Sequence, residues 1–349
     1  MPCKTKALVL LSGGLDSMLA VKLLQLQGVE VVGICFESNF FNADKARIAA
    51  EKLGIEIKVE DIREDELELV KNPPNGYGKN LNPCIDCHGL MIRKTNEILE
   101  KEGFDIIATG EVSGQRPFSQ NKNNLDLVQK IAGVEVLRPL SAKNLEETEY
   151  EKKGLVDRKK LLDINGRSRE RQMELAKKYG IKDYPTPAGG CILTDPEFSQ
   201  RLLKMLEYWP DCTPLDAELL KHGRVFWLKL KDNKNILLVI GRHEEDNKAL
   251  ERLAQKGDIM LELKEKTGPL AVVRISNFRP YAEASVGRQF PILNNNYLEI
   301  NIPERLKMSE LNLGEEKEFE EILNIACLFT GYYSTKARGK KEKVILNNI

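Results

Sequence analysis

Apolar and polar positions in the first part of the chain separate strands from helices. Residues 7–11 (ALVLL) form an unbroken apolar run of the kind found in a strand buried on both faces of a parallel sheet. A small polar loop, SGGLDS at 12–17, follows, and then a helical pattern at 18–27 closed by Gly28. The same alternation recurs: strands at 30–36, 55–59, 106–109 and 134–140, and helices at 43–53 and 88–101, with Gly54 and Gly103 at their ends. It predicts an α/β fold, a doubly wound parallel sheet, whose ligand crevice lies at the carboxyl ends of the strands.

Residues 144–180 read as helical and highly charged. Residues 184–191 form a turn-rich loop, 196–208 a helix, and 209–214 (WPDCTP) a linker. Beyond it the pattern changes to strands at 224–230 and 236–240 in a hairpin, a helix at 244–255, and strands at 258–263 and 270–275. A helix at 281–288, a strand at 297–302, a helix at 315–332 and a basic end at 336–343 complete a C-terminal α+β domain. The expected domains are 1–180, a nucleotide-type α/β domain; 181–214, a cysteine-bearing loop, helix and linker; and 215–349, the α+β domain.

Composition narrows the class. With 349 residues, more than one domain is expected. The 53 basic and 53 acidic residues cancel, so nucleic acid binding has to use a local patch. The chain enters its glycine loop too early for a signal peptide, and no apolar run reaches a membrane span; a cytoplasmic protein without membrane contact is expected. Its seven cysteines are then thiols, ligands or redox groups.

The loop Ser12, Gly13, Gly14, Leu15, Asp16, Ser17 lies between a strand end and a helix start, where backbone N–H groups and the helix dipole attract an anion. Glycines let the backbone approach a phosphate, and Asp16 suits such a site if Mg²⁺ bridges it to a pyrophosphate. Two other strand ends face the same crevice. Phe36 either stacks on an adenine or is a core aromatic, and Thr109-Gly110 either admits a nucleotide or is a plain strand-to-loop glycine. Arg167, Arg169 and Arg171, expected to share a first helical turn, form either a solvated face or a phosphate-contacting patch.

Cys84 and Cys87 form a C-x-x-C just before a helix, a setting that lowers a thiol pKa, and Cys191 lies in a Gly-Gly-Cys loop able to fold over the site. Three arrangements remain open: structural zinc on Cys84, Cys87, His88 and Cys191; a redox pair; or an iron–sulfur cluster on three cysteines.

The loop S-G-G-x-D-S after a first strand resembles the pyrophosphate (PP) loop of the N-type ATP pyrophosphatases. Together with Asn82-Pro83-x-x-x-Cys87, Thr109-Gly110 and Gly189-Gly190-Cys191, it resembles the tRNA 2-thiouridine synthases; Cys84 stands in place of their aspartate and Glu111 in place of their histidine. The C-terminal part is similar to the RNA-binding module of fibronectin-binding-like ribosome quality-control factors. The resemblance implies an ATP-dependent transferase that adenylates a tRNA uridine and replaces its carbonyl oxygen with sulfur, releasing AMP and pyrophosphate. ATP would be held by Ser12, Gly13, Gly14, Leu15, Asp16, Ser17, Phe36, Thr109 and Gly110, with Mg²⁺. Cys87, Cys191 and Asp16 would be catalytic. Cys84, Cys87 and Cys191 would hold a 4Fe-4S cluster, the alternative being persulfide and disulfide chemistry. The implied partners are tRNA and a sulfur donor (a desulfurase, a carrier protein or free sulfide), with room for a homodimer. Two rivals remain: a PP-loop adenylating enzyme acting on a small molecule, and a non-catalytic zinc-containing RNA-binding protein.

Overall fold

The structure is a computed structural model that describes residues 4–185, 191–231, 234–275 and 297–349. Cys3, the expected helix at 281–288 and residues 186–190 of the Gly-Gly-Cys loop lie outside the described residues. The chain divides into two compact units, Met1–Ser199 and Gln200–Ile349.

The first unit runs β1 (Lys6–Leu10), α1 (Leu15–Gln25), β2 (Glu30–Glu37), α2 (Asp44–Leu53), β3 (Ile57–Asp61), α3 (Arg63–Lys71), α4 (Cys84–Glu102), β4 (Ile106–Thr109), α5 (Lys122–Ala132), α6 (Glu149–Lys152), α7 (Glu170–Lys178) and the start of α8 (Pro196–Tyr208). Its sheet has the order β3-β2-β1-β4, every pair parallel. Alternate strand residues serve opposite faces. Ala7, Val9, Val31 and Cys35 join a core with residues of α1, α2 and α7, whereas Leu8, Val32, Ile34 and Phe36 pack with Leu90 of α4. The sheet is thus covered on both sides, as the α/β alternation requires. The chain steps outward from β1 through β2 to β3 and then returns to the other side of β1 with β4. That reversal opens a crevice at the carboxyl ends of β1 and β4, the switch point where such sheets bind ligands.

Several elements differ from the sequence expectation. The expected strand at 134–140 is a single bridge, Leu137 opposite Ala108; Pro139 has no N–H and cannot extend the ladder beside β4. Residues 144–180 are mostly irregular: α6 and α7 are short, and Arg167 lies outside α7, for which Arg169 is the N-cap. Helices α3 and α5 carry too few regularly spaced apolar residues to stand out; each buries one narrow stripe, Leu67 and Val70 in α3, Leu125 and Val128 in α5. Helix α4 begins at Cys84, so the C-x-x-C forms its first turn instead of preceding it.

The second unit contains α9 (Pro214–Leu219), β5 (Arg224–Leu230), β6 (Lys234–Ile240), α10 (Glu244–Leu253), β7 (Ile259–Leu263), β8 (Ala271–Ile275), β9 (Tyr297–Asn301), β10 (Glu316–Lys317), α11 (Phe319–Tyr332) and β11 (Lys341–Asn348). Its described strands form one mixed sheet in the order β10-β5-β6-β8-β7-β11-β9. The apolar helix α11 supplies Ile322, Ala326 and Phe329 to the core. The buried guanidinium of Arg274 ties this unit together: Nε donates to Asp258 Oδ1 at 2.9 Å, Nη1 to Asp216 Oδ1 at 2.9 Å, and Nη2 to the Leu253 carbonyl at 2.8 Å. Two expectations are corrected here. The segment at 209–214 is no simple linker, since Trp209 is buried, donates Nε1 to the Asn235 carbonyl and packs edge-on against Trp227. The basic end is in part β11, whose Val344 and Leu346 point into the core while Lys341 points outward.

Candidate functional site

At the end of β1 the chain turns through Ser12 and Gly13 into α1, with Gly14 as N-cap. No side chain caps α1, so the N–H groups of its first turn remain directed at the crevice. Gly13 has a positive φ of 76°, and a Cβ there would lie 2.4 Å from the Lys45 carbonyl at the start of α2; only glycine fits. Ser17 Oγ donates to the Gly14 carbonyl at 2.8 Å and lies 3.4 Å from Ser12 Oγ, bringing both hydroxyls to the loop mouth. Leu15 contributes backbone alone, its side chain being fully buried.

Asp16 is the acidic residue of this turn. Its Oδ2 accepts from Gln115 Nε2 at 2.8 Å and lies 4.0 Å from Arg169 Nη2, and Gln172 Nε2 donates to Gln115 Oε1 at 3.1 Å. Asp16 Oδ1, Arg169 Nε and Gln172 Oε1 are buried without a hydrogen-bond partner. A buried orphan carboxylate oxygen beside a phosphate loop has the donor chemistry that Mg²⁺ requires. Gln115 and Gln172 were missed in the sequence. The signal for Gln115 was its place in the loop after β4, facing the same crevice. Of the three arginines, Arg169 alone reaches this cluster; Arg171 pairs with exposed Asp163 at 2.7 Å.

Two expected nucleotide contacts are corrected. Phe36 is 2 % exposed and lies in the core on the α4 side of the sheet, with no face open to a base. A Cβ on Gly110 would lie 2.4 Å from the backbone nitrogen of Ser17, so its missing side chain makes room for α1 itself. Thr109 is likewise buried and donates to Glu111 Oε2 at 3.1 Å.

The three cysteines gather at the same end of the sheet. Cys191 Sγ lies 3.6 Å from the carbonyl of Phe40, just beyond β2. Cys87 is buried and its thiol donates to Glu66 Oε1 at 3.1 Å. Burial pushes this thiol well above its ordinary pKa, and negative charge on Glu66, Cys191 or Cys84 raises it further. At Cys87 desolvation beside a carboxyl thus acts against the helix dipole. Glu66 is itself raised to about 7 by burial, against hydrogen bonds from Ser38 and Cys87. Cys84 behaves oppositely. Burial pushes it up, but its hydrogen bond with His88, helped by Ser119 and by the charge of Arg116, brings it below the usual thiol value.

A metal on the three cysteines was also expected. Among the described residues no three of His, Cys, Asp and Glu are placed to hold a metal ion. Cys84 is engaged by His88 and Cys87 by Glu66, and Cys191 lies against the Phe40 carbonyl, while Cys84 and Cys191 are both near enough to Cys87 for their charge to act on it.

Residues 3–153 match the family described as Thiamine biosynthesis protein (ThiI). A tRNA-specific 2-thiouridylase of Bacteroides fragilis is 39% identical over 114 residues, 32% of this chain and 32% of the relative. A probable tRNA sulfurtransferase of Oceanobacillus iheyensis is 29% identical over 151 residues, 41% of this chain and 36% of the relative. A solved 4-thiouridine synthetase–RNA complex with bound ATP is 23% identical with a TM-score of 0.36, over 61% of this chain and 52% of that one. The chain spans about a third of the length of the first of these curated relatives. The resemblance of the PP-loop segment to tRNA-thiolating enzymes thus extends beyond single motifs to a continuous stretch of sequence. Among the described residues no helix is long and apolar enough to cross a membrane.

Proposed function

We propose that the chain is an ATP-dependent tRNA sulfurtransferase that activates a uridine carbonyl as its adenylate and replaces the oxygen with sulfur. The observation that carries this reading is the uncapped start of α1 at the β1/β4 crevice, backed by Asp16 and Arg169 and set at the same sheet end as three cysteines.

ATP is held by the loop from Ser12 to Ser17. The backbone N–H groups and the hydroxyls of Ser12 and Ser17 stabilise charge on the departing pyrophosphate. Asp16 is the side chain that would hold Mg²⁺, which neutralises phosphate oxygens when bound. Arg169 supplies a second, fixed positive charge. The uridine oxygen attacks the α-phosphate, turning a poor leaving group into AMP. The outer sulfur of a cysteine persulfide then displaces AMP, and a second thiol attacks the resulting S–S link, which releases the thiouridine and leaves a disulfide for an external thiol to reduce. The persulfide route needs only the thiols themselves, and a three-cysteine 4Fe-4S cluster on Cys84, Cys87 and Cys191 is its alternative. A desulfurase, a carrier protein or free sulfide supplies the sulfur. The base must be presented from a loop or flipped out, since its carbonyl cannot be reached inside a stack.

The second unit supports an RNA substrate. Arg224 stacks on Tyr333 at 4.4 Å and Arg338 on Tyr332 at 4.7 Å, and Tyr297 lies between Lys264 and Lys343 at 4.8 and 5.2 Å. Such interleaved basic and aromatic groups suit an RNA backbone and unpaired bases.

The test is pyrophosphate release in the presence of tRNA or of candidate small acceptors, with mass analysis of the nucleosides. Release stimulated by tRNA together with a thiolated uridine is expected. Stimulation by a free metabolite alone moves the function to a small-molecule adenylating enzyme, and no ATP turnover at all ends the catalytic reading.

A further inference from the structure

The first turn of α4 carries a constellation that the ATP site does not use. Cys84 and His88 are four positions apart on one helix face and hydrogen-bonded to each other. His88 Nδ1 lies 2.9 Å from Glu111 Oε1. Glu111 is 6 % exposed, and its Oε2 accepts from Arg138 Nε at 3.0 Å and from Thr109 Oγ1 at 3.1 Å. Arg138 is anchored in turn, donating Nη1 to Gln129 Oε1 at 3.3 Å and Nη2 to the Leu125 carbonyl at 3.1 Å. The carboxylate therefore cannot swing away, and it fixes the imidazole. Arg138 and Glu111 pair as opposite charges, and His88 and Cys84 continue the row. A row of this kind can be buried without an uncompensated charge. Nucleophile, imidazole and orienting carboxylate form the arrangement that activates nucleophiles on unrelated folds.

The other cysteines contrast with it. Cys87 is buried and locked to Glu66, whereas Cys84 is partly accessible and opens α4.

We propose that Cys84 is the thiol that takes up sulfane sulfur from a persulfide or polysulfide donor, with His88, oriented by Glu111, holding and returning the proton. The inference rests on the sulfurtransferase reading and names its sulfur-accepting atom. His88 takes the thiol proton, and Cys84 Sγ attacks the outer sulfur of R–S–SH. The donor S–S bond breaks as the new S–S bond forms. The leaving RS⁻ collects the proton from His88. The sum is Cys84–SH + RSSH → Cys84–SSH + RSH, with no net oxidation.

The experiment treats the full-length chain with limiting inorganic polysulfide and locates the persulfide by mass spectrometry. It is repeated with Cys84→Ser, Cys87→Ser, His88→Gln and Glu111→Gln, with circular dichroism as the check on folding. Persulfide on Cys84 is expected in the unmodified chain and in Cys87→Ser, with none at this site in Cys84→Ser. His88→Gln should slow loading at least about tenfold and remove the ultraviolet thiolate absorbance while the fold is kept. A persulfide on Cys87 or Cys191 with Cys84 unloaded overturns the proposal. So do loading and thiolate absorbance unchanged in His88→Gln, or iron and labile sulfide recovered with anaerobically purified chain and lost in Cys84→Ser. Localisation in the unmodified chain decides the matter even if a variant fails to fold. Loading needs neither ATP nor tRNA, so absent tRNA-stimulated pyrophosphate release would count against the function proposed above and not against this assignment.

Discussion

Gly110 packs against the backbone of Ser17, and a Cβ on Gly110 would lie 2.4 Å from the Ser17 nitrogen. The end of β4 thereby braces the first turn of α1, whose N–H groups form the anion site. Neither neighbour is a flexible side chain that could move aside. Gly110→Ala should destabilise the first unit by roughly 1–3 kcal/mol and weaken ATP binding. Thermal unfolding and ATP titration measure both, and a variant with unchanged affinity would show that the two backbones can part without cost.

Arg169 and Arg171 separate a site residue from a surface residue. Arg169 Nε is buried without a partner near Asp16, whereas Arg171 is bound to exposed Asp163. Loss of a charged hydrogen bond to phosphate costs about 1.5–3 kcal/mol. Arg169→Ala should therefore raise the Kd for ATP about tenfold or more, and Arg171→Ala should leave it within twofold, roughly the scatter of exposed ion pairs. Equal losses in both variants would return the arginines to a diffuse basic patch.

Glu66 predicts a pH dependence. Its folded pKa of about 7 lies above the ordinary 4.5, because burial disfavours the carboxylate. The folded state thus holds a proton that the unfolded state releases. Stability is greatest below the unfolded value and falls as the pH rises through the folded one. Glu66→Gln removes this dependence. Its stability relative to the unmodified chain should rise between pH 5 and pH 8 by up to about 3 kcal/mol, the free energy of a shift of this size. Urea unfolding across that range measures it; parallel curves for the two proteins would mean that Glu66 is ionised in the folded state.

Arg274 predicts a stability effect confined to the second unit. Removing its guanidinium leaves the buried carboxylate of Asp258, and that of Asp216 beside it, without a counter-charge. Arg274→Met should cost about 3–5 kcal/mol, read as early unfolding of that unit by hydrogen exchange, with the ATP site unaffected. Uniform destabilisation of both units would contradict it.

Much of the backbone is legible in the sequence because its causes are local. The apolar run of β1, the glycine turn and the alternation through β4 follow from period and turn chemistry, as do the β5–β6 hairpin and the bounds of α8, whereas α1 begins at Leu15, three residues before the expected start. The anion site shares this legibility, being built by consecutive residues.

What only the tertiary structure decided is which side chains meet. Gln115 reaches Asp16 across 99 positions, and Glu111 reaches His88 across 23. Local pattern carries no trace of such pairings, which depend on how strands and helices are stacked. The same holds for burial: Phe36 is a core residue because the pleat turns it toward α4, and the Cys87 thiol is pushed well above its ordinary value by burial, with Glu66 of α3 beside it. The sequence by itself determined an α/β domain with a phosphate loop. The neighbours that set the reactivity of each cysteine were fixed only by packing, because desolvation and charge act through space and not along the chain.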